Sequence, residues 1–199
     1  MLLIRHALPL RTQVGEGSDP ELTEAGWEQA RRLPSALERF PLSRLVSSPQ
    51  RRAFQTAEPV ATARALAIEV DERLAEYDRG HTQYLPIEQV RAERPEDWAR
   101  MAAGELPATV DVGAFRDRVR GALDEIVAGA DHADTVAVFS HGGVINVILQ
   151  GILGTARPLS FPIEYASVTR LRYSRGGTVT VAGVNGVEHV WDLLGRGRS

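Results

Sequence analysis

Two of the five histidines stand directly behind apolar runs and beside groups suited to holding an anion. In "LLIRHALP" (2–9), Arg5 and His6 close the first apolar run. In "SHGGV" (140–144), His141 and Gly142 turn one apolar run into another, so backbone N–H groups point outward at the positive end of a helix. "SSPQRRAFQTA" (47–57) puts Arg51 and Arg52 in the first turn of a predicted helix. Cations there oppose the helix dipole, at roughly 0.3–1 kcal/mol each. A lone arginine is ordinarily solvated, and two glycines ordinarily just let a strand and a helix pack. A pair of arginines in an unfavourable place instead asks for an anion, and a guanidinium grips phosphate oxygens bidentately. With Arg5, Arg52 and His141 around one phosphoryl group, a neutral His6 nitrogen can attack phosphorus in line. The leaving oxygen then needs a proton. "ERLAEYDRG" (72–80) offers Glu72, Glu76 and Asp78, and spacing does not choose among them.

Secondary structure must bring these residues together. "LLIR" (2–5), "LSRLVSS" (42–48), "AIEV" (67–70) and "TVAVFS" (135–140) read as strands. "TEAGWEQARRLPSALERF" (23–40) reads as a helix capped by Thr23 and disturbed by Pro34. Residues 48–66 read as a helix with Ser48 as its cap and Pro49 in its first turn. "FRDRVRGALDEIV" (115–127) has the apolar spacing of an amphipathic helix, and "GGVINVILQGIL" (142–153) reads as a buried one. "SVTRLRY" (167–173) and "GTVTVAGV" (177–184) form a predicted hairpin around Arg175, Gly176 and Gly177. The alternation predicts an α/β fold of three layers, α/β/α, with a mostly parallel sheet and one antiparallel strand. Ligands of such sheets gather outside the carboxyl ends of the strands. Arg5 with His6, Ser47 with Ser48, and His141 all fall there.

Composition removes several alternatives. The 199 residues, 43% hydrophobic, suit a single domain over 1–199 with a sizeable core, and no Pro/Gly/Ser linker or repeat divides them. A net charge of -3 without a basic stripe argues against nucleic acid as the main partner. "VINVILQGIL" (144–153) is too short to span a bilayer, and Arg5 interrupts "MLLI" before it can act as a signal peptide's apolar region. The expectation is a cytoplasmic protein with no membrane partner; a homodimer is left open. With no cysteine there is neither a disulfide nor a thiolate nucleophile. All 23 basic residues are arginine, so a P-loop lysine and a Schiff base are excluded. No His-Glu-x-x-His or similar signature accompanies His6 and His141, so neither a metal nor an organic cofactor is expected.

Taken together, the motifs resemble the histidine phosphatase superfamily, the phosphoglycerate-mutase-like group. Arg5-His6-Ala7 is similar to its opening Arg-His-Gly, and "DPELTEAGWEQA" (19–30) to its Leu-Thr-x-x-Gly-x-x-Gln-Ala segment. "SSPQRRAFQTA" resembles its Ser-Ser-x-x-x-Arg-Ala-x-x-Thr-Ala segment, "ERLAEYDRG" its acid behind an Arg-Leu pair, and "SHGGVI" its second-histidine motif. "NGVEHV" (185–190) is similar to a terminal Asn…His segment, read as structural. The resemblance covers nearly the whole chain and implies the phosphoglycerate mutase-like fold. It implies His6 as nucleophile, His141 and Glu76 as further catalytic residues, and Arg5, Arg52 and Gly142 as phosphate-binding residues. Ala7 replaces the usual glycine, which predicts slight crowding of the phosphate. Tyr-Asp-Arg-Gly follows Glu76 in place of Gly-x-x-Glu-Gly, and residues 77–110 match no substrate-specific subgroup. His132 is expected in an exposed loop; for His81, in the irregular segment, a surface position is expected, with contact to substrate as the alternative.

The function expected is metal-independent hydrolysis of phosphomonoesters through a phosphohistidine, on a small phosphorylated metabolite. Alternatives are a cofactor-dependent phosphoglycerate mutase-type phosphotransferase, an inactive phosphate-ligand binding protein on the same fold, and a metal-dependent hydrolase. Residues 77–110 read as a lid or substrate-specificity insertion. They hold Arg79, Arg91, Arg94 and Arg100 against six acids, and an apolar set of Tyr77, Tyr84, Leu85, Ile87, Trp98 and Met101. A net negative cover suits hydrolysis of esters with few further charges better than a mutase, which must neutralise two anionic groups at once.

Overall fold

The computed structural model describes residues 1–12, 16–85 and 87–194, with only the backbone of Ile87 and Glu88. Six strands form one sheet: β1 (Leu2–Arg5), β2 (Leu42–Ser47), β3 (Ile68–Val70), β4 (Thr135–Ser140), β5 (Val168–Tyr173) and β6 (Val179–Gly186). The helices are α1 (Glu24–Ala36), α2 (Arg51–Arg64), α3 (Ile87–Glu93), α4 (Pro95–Ala102), α5 (Val112–Ala128) and α6 (Gly142–Leu153), with a 3₁₀ turn at Glu72–Leu74. The spatial order is β3-β2-β4-β1-β5-β6. β1 to β4 pair in parallel, and β5 runs against both β1 and β6, so it is the one reversed strand.

Alternating side chains sort the strands' apolar residues onto two faces. Leu2, Ile4, Leu45, Ala137 and Phe139 pack with Leu33, Leu37, Ala57 and Val60 of α1, its C-cap and α2. Leu3, Val46, Val136 and Val138 face the other way, onto Val119 and Ile126 of α5 and Ile145 of α6. The result is the expected α/β/α sandwich. From β1 the chain crosses through α1 to β2, beyond β4; from β4 it crosses the other face through α6 to β5, beyond β1. The neighbours β1 and β4 therefore send their connections in opposite directions, which opens a crevice outside their carboxyl ends.

Helix ends differ in part from expectation. Thr23 caps α1, its Oγ1 accepting from the Gly26 N–H at 2.9 Å. Pro34 does not end that helix, which runs on to Ala36 and closes with Leu37 N–H donating to Leu33 O. Ser48 is not the cap of α2: the helix starts at Arg51, behind Gln50, and Pro49 lies outside it. Asp19 takes the capping role instead, its Oδ1 accepting from the Arg51 N–H at 2.7 Å. That carboxylate also offsets the conflict between two arginines and the helix dipole. Ser48 is thereby free for another partner.

Candidate active site

His6 leaves the end of β1 with its N–H donating to Ser140 O, which ties it to β4. The next segment is held from α1: Leu8 N–H donates to Gln29 Oε1 at 2.9 Å, and Thr23 Oγ1 donates to Leu8 O at 3.0 Å. Gly26 is required there, because a Cβ would stand 2.1 Å from Leu8 O. This is the physical content of the "LTEAGWEQA" motif. The His6 ring is buried, and its Nδ1 lies 2.8 Å from Ala7 O. A carbonyl only accepts, so Nδ1 carries the proton and Nε2 keeps its lone pair. Burial, reinforced by Arg52 and Arg5, holds the His6 pKa well below its ordinary value. His141, behind β4, is buried with its ring centroid 5.2 Å from that of His6, and its Nε2 is 2.7 Å from Ser48 Oγ. Burial and Arg52 depress its pKa too. The Ala7 side chain is buried and packs in one cluster with Leu22, Ala30 and Ala166.

The arginines converge on the same place. Arg5 Nη1 donates to Ile163 O, and its guanidinium lies 3.8 Å above the Tyr165 ring. Arg52 is fully buried; Nη1 donates to Ser18 O at 2.8 Å and Nη2 to both Asp78 oxygens at 3.0 and 2.9 Å. Arg5 Nε, Arg52 Nε and His141 Nδ1 are all buried without a protein partner. Buried donors rarely go unpaired, so three such nitrogens close to one imidazole have the capacity to hold an anion. Arg5, His6, Arg52 and Gly142 line a single cleft of about 590 Å³. Arg51 points elsewhere, exposed and ion-paired with Glu21.

Geometry separates the three candidate acids. Glu72 is exposed and paired with Arg79. Asp78 is committed to Arg52 and accepts from Gln50 Nε2 at 2.9 Å. Glu76 is buried beside the histidines: Oε2 accepts from Gly143 N–H at 2.8 Å and Oε1 from Tyr77 N–H at 3.1 Å. Its own N–H donates to Gln50 Oε1 at 2.7 Å. Burial, then the charge of Asp78, pushes the Glu76 pKa up to about 7. Gly143 makes this approach possible, since a Cβ there would lie 2.4 Å from Glu76 Oε1. The sequence reading singled out Gly142, gave Ser48 a place at a strand end and a capping role, and named neither Gly143 nor Gln50 for the site. The second glycine of "HGG" was the available signal.

Between Tyr77 and Thr109 several described residues line the cleft, among them members of the short helices α3 and α4, and α4 buries none of its side chains. Tyr77, Tyr84, Leu85, Trp98 and Met101 line the cleft, while the side chains of Ile87 and Glu88 lie outside the described residues. His81 also lines it, where a surface position was expected; His132 is exposed. The terminal segment is structural: His189 Nε2 meets Ala166 O at 3.1 Å, and Asn185 Oδ1 accepts from Glu164 N–H at 2.7 Å. Among the described residues no helix is long and apolar enough to cross a membrane.

A sequence model of the histidine phosphatase superfamily (branch 1) matches residues 1–185. Phosphoserine phosphatase 1 of Hydrogenobacter thermophilus is 32% identical over 163 residues, covering 77% of this chain and 76% of that protein. A probable phosphoglycerate mutase of Erwinia tasmaniensis is 27% identical over 160 residues, 76% of this chain and 74% of its own. The solved structure of a mycobacterial glucosyl-3-phosphoglycerate phosphatase superposes with a TM-score of 0.73 at 28% identity, covering 94% of this chain and 98% of that one. That enzyme has also been solved with inorganic phosphate.

Proposed function

Because the chain belongs to branch 1 of the histidine phosphatase superfamily, we propose that it hydrolyses phosphomonoesters through a phosphohistidine on His6. The observation that carries this reading is the uncommitted Nε2 of a neutral His6 set among three buried, unpartnered nitrogens of Arg5, Arg52 and His141. Nε2 attacks phosphorus as the bond to the ester oxygen breaks, and the cations neutralise charge spreading over the other oxygens. The Gly142 N–H, at the first position of α6, is a further donor. Glu76 gives its proton to the leaving oxygen. As a carboxylate it then takes a proton from water, which attacks the phosphohistidine and releases inorganic phosphate. A pKa of about 7 leaves both forms populated near neutrality, as the two half-reactions require. The mechanism calls for no metal or organic cofactor. It needs one chain, so a homodimer would leave it unchanged. Residues 1–199 form one domain in this reading, residues 77–110 are its lid, and the cytoplasm is its setting.

Hydrolysis is favoured over a mutase by the lid. A mutase must hold a second anionic group, yet Arg94 alone of the lid's four arginines lines the cleft, and Asp97 lines it too. The test supplies p-nitrophenyl phosphate with EDTA, and separately 3-phosphoglycerate with 2,3-bisphosphoglycerate. Expected are EDTA-resistant release of p-nitrophenol, an acid-labile, base-stable phosphoryl group on trapped enzyme, and loss of both in a folded His6→Ala variant. Substantial turnover by His6→Ala would refute the covalent route, and isomerisation outrunning phosphate release would refute hydrolysis.

A further inference from the structure

The neighbouring imidazoles of His6, which lines the cleft, and of the fully buried His141 are anchored in different ways. A backbone carbonyl, which can only accept, fixes the proton of His6. His141 meets a hydroxyl, which can donate or accept, so its proton must be located by following the neighbours of that hydroxyl. We propose that Ser48 is a positioning residue that holds His141 as the Nδ1–H tautomer, so that His141 donates a hydrogen bond to the phosphoryl group. The proposal rests on the phosphatase reading above only for the identity of the group bound.

Ser48 sits behind β2, next to β4, with its N–H donating to Phe139 O at 2.9 Å and its side chain wholly buried. Its Oγ has two partners: the Gln50 N–H at 3.3 Å and His141 Nε2 at 2.7 Å. A backbone N–H can only donate, so Oγ accepts from Gln50. The single hydroxyl proton then has His141 Nε2 as its acceptor. If Nε2 donated instead, the Ser48 hydroxyl would accept twice and bury its own proton unpaired, which costs the full desolvation of that group. With Nε2 accepting, the ring proton belongs on Nδ1, and Nδ1 is the buried nitrogen without a protein partner. The other tautomer would aim a lone pair at phosphoryl oxygens. Burial and the nearby cations keep His141 from charging, so its tautomer decides whether it attracts or repels the anion. A serine that merely fills space would influence stability and leave the tautomer alone.

The experiment uses 15N-histidine-labelled full-length chain as wild type, Ser48→Ala and Ser48→Thr, with His141→Gln to assign signals. Long-range 1H–15N correlation distinguishes protonated from unprotonated ring nitrogens, and kinetics with p-nitrophenyl phosphate and inorganic phosphate as inhibitor run in parallel. In wild type, His141 should show a protonated Nδ1 and a bare Nε2. Ser48→Ala should lose that bias, lower kcat/KM about ten- to hundredfold, as loss of a supporting partner does at metal-bound histidines, and weaken phosphate inhibition by a similar factor. His6 signals should not move, and recovery of tautomer and rate together in Ser48→Thr would support the assignment. A protonated Nε2 in wild type overturns the proposal even if Ser48→Ala fails to fold, and an unchanged tautomer in Ser48→Ala overturns it as well. A wild type with Nδ1–H that cleaves no phosphate ester would refute the phosphatase reading while supporting the tautomer.

Discussion

The floor of the cleft and its cover are built to different standards. On the floor, His6, His141 and Arg52 stand at or just beyond the ends of neighbouring buried strands, each tied by hydrogen bonds to other elements, and His141 and Arg52 have no exposed surface. In the cover, α3 and α4 have 7 and 8 residues, and α4 buries none of them. Helices that short do not persist on their own propensity and depend on the little packing they find. The contrast predicts a division of labour: a floor fixed by the sheet should supply chemistry common to any phosphate ester, and the lining residues between Tyr77 and Thr109 should meet the part of the substrate that differs. Substitutions in the floor should therefore slow every ester alike, and substitutions in the cover should change one ester relative to another.

The largest effect short of removing the nucleophile is expected at Arg52. Arg52→Ala deletes a donor aimed at transition-state charge, a loss of roughly 2.7–4 kcal/mol, or about 10²–10³ in rate. It also strips Asp78 of its buried partner, so folding should be checked by circular dichroism. Arg51→Ala breaks only an exposed pair with Glu21 and should leave kcat/KM within about fivefold of wild type. Equal losses at the two positions would mean that the phosphate clamp has been placed on the wrong arginine.

This contrast also marks what could be read without coordinates. Arg5, His6 and His141 were legible because they close strongly patterned strands, whose ends in an α/β sheet converge by topology, and Arg52 because a pair of arginines opens a helix and the resemblance aligns the second of them. Spacing left Glu72, Glu76 and Asp78 open and only the resemblance named Glu76, because the physical choice depends on an N–H from Gly143, distant in sequence, and on burial. Ser48 was misread as a cap: Asp19, 32 residues from Arg51, took that duty, a long-range substitution that local propensity cannot register. His81 was placed at the surface because residues 77–110 lack a sustained period, and only the fold of the cover turns that side chain toward the cleft.

An intermediate effect should follow from Glu76, which joins the two regions. As general acid it matters for poor leaving groups, so Glu76→Gln should slow alkyl phosphates far more than p-nitrophenyl phosphate. In wild type, alkyl ester turnover should peak near neutrality and fall on both sides of the Glu76 pKa of about 7. Gly143→Ala should reproduce the selective loss, since the added methyl would displace the carboxylate. Stability gives an independent reading. The folded pKa lies above the ordinary 4.5, so the folded state binds this proton more tightly, and the associated stability is full below pH 4.5 and lost as pH rises through about 7. Between those limits, urea unfolding should move in favour of Glu76→Gln by on the order of 3 kcal/mol. No pH-dependent difference between the two proteins, or equal slowing of both ester classes, would return the role to Asp78 or Glu72.

The smallest effect is expected in the cover, and its selectivity is what matters. Arg94 and Asp97 lie one turn apart at the start of α4, both half-buried and both lining the cleft beside Trp98. Both face the cleft, so each is placed to meet a substrate. Partly solvated charges of this kind contribute about 0.2–1 kcal/mol per contact, hence no more than about fivefold in kcat/KM. Arg94→Ala should raise KM for a carboxylate-bearing ester such as phosphoserine while leaving p-nitrophenyl phosphate unchanged, and Asp97→Ala should favour the more anionic substrates. The measurement is the ratio of kcat/KM for the two esters, which cancels errors in active-enzyme concentration and any global loss of fold. A change in that ratio with the p-nitrophenyl phosphate rate intact locates selection in the cover. If both esters instead slow by the same factor, Arg94 belongs with the floor, and the division of labour between the two regions fails at the point where they meet.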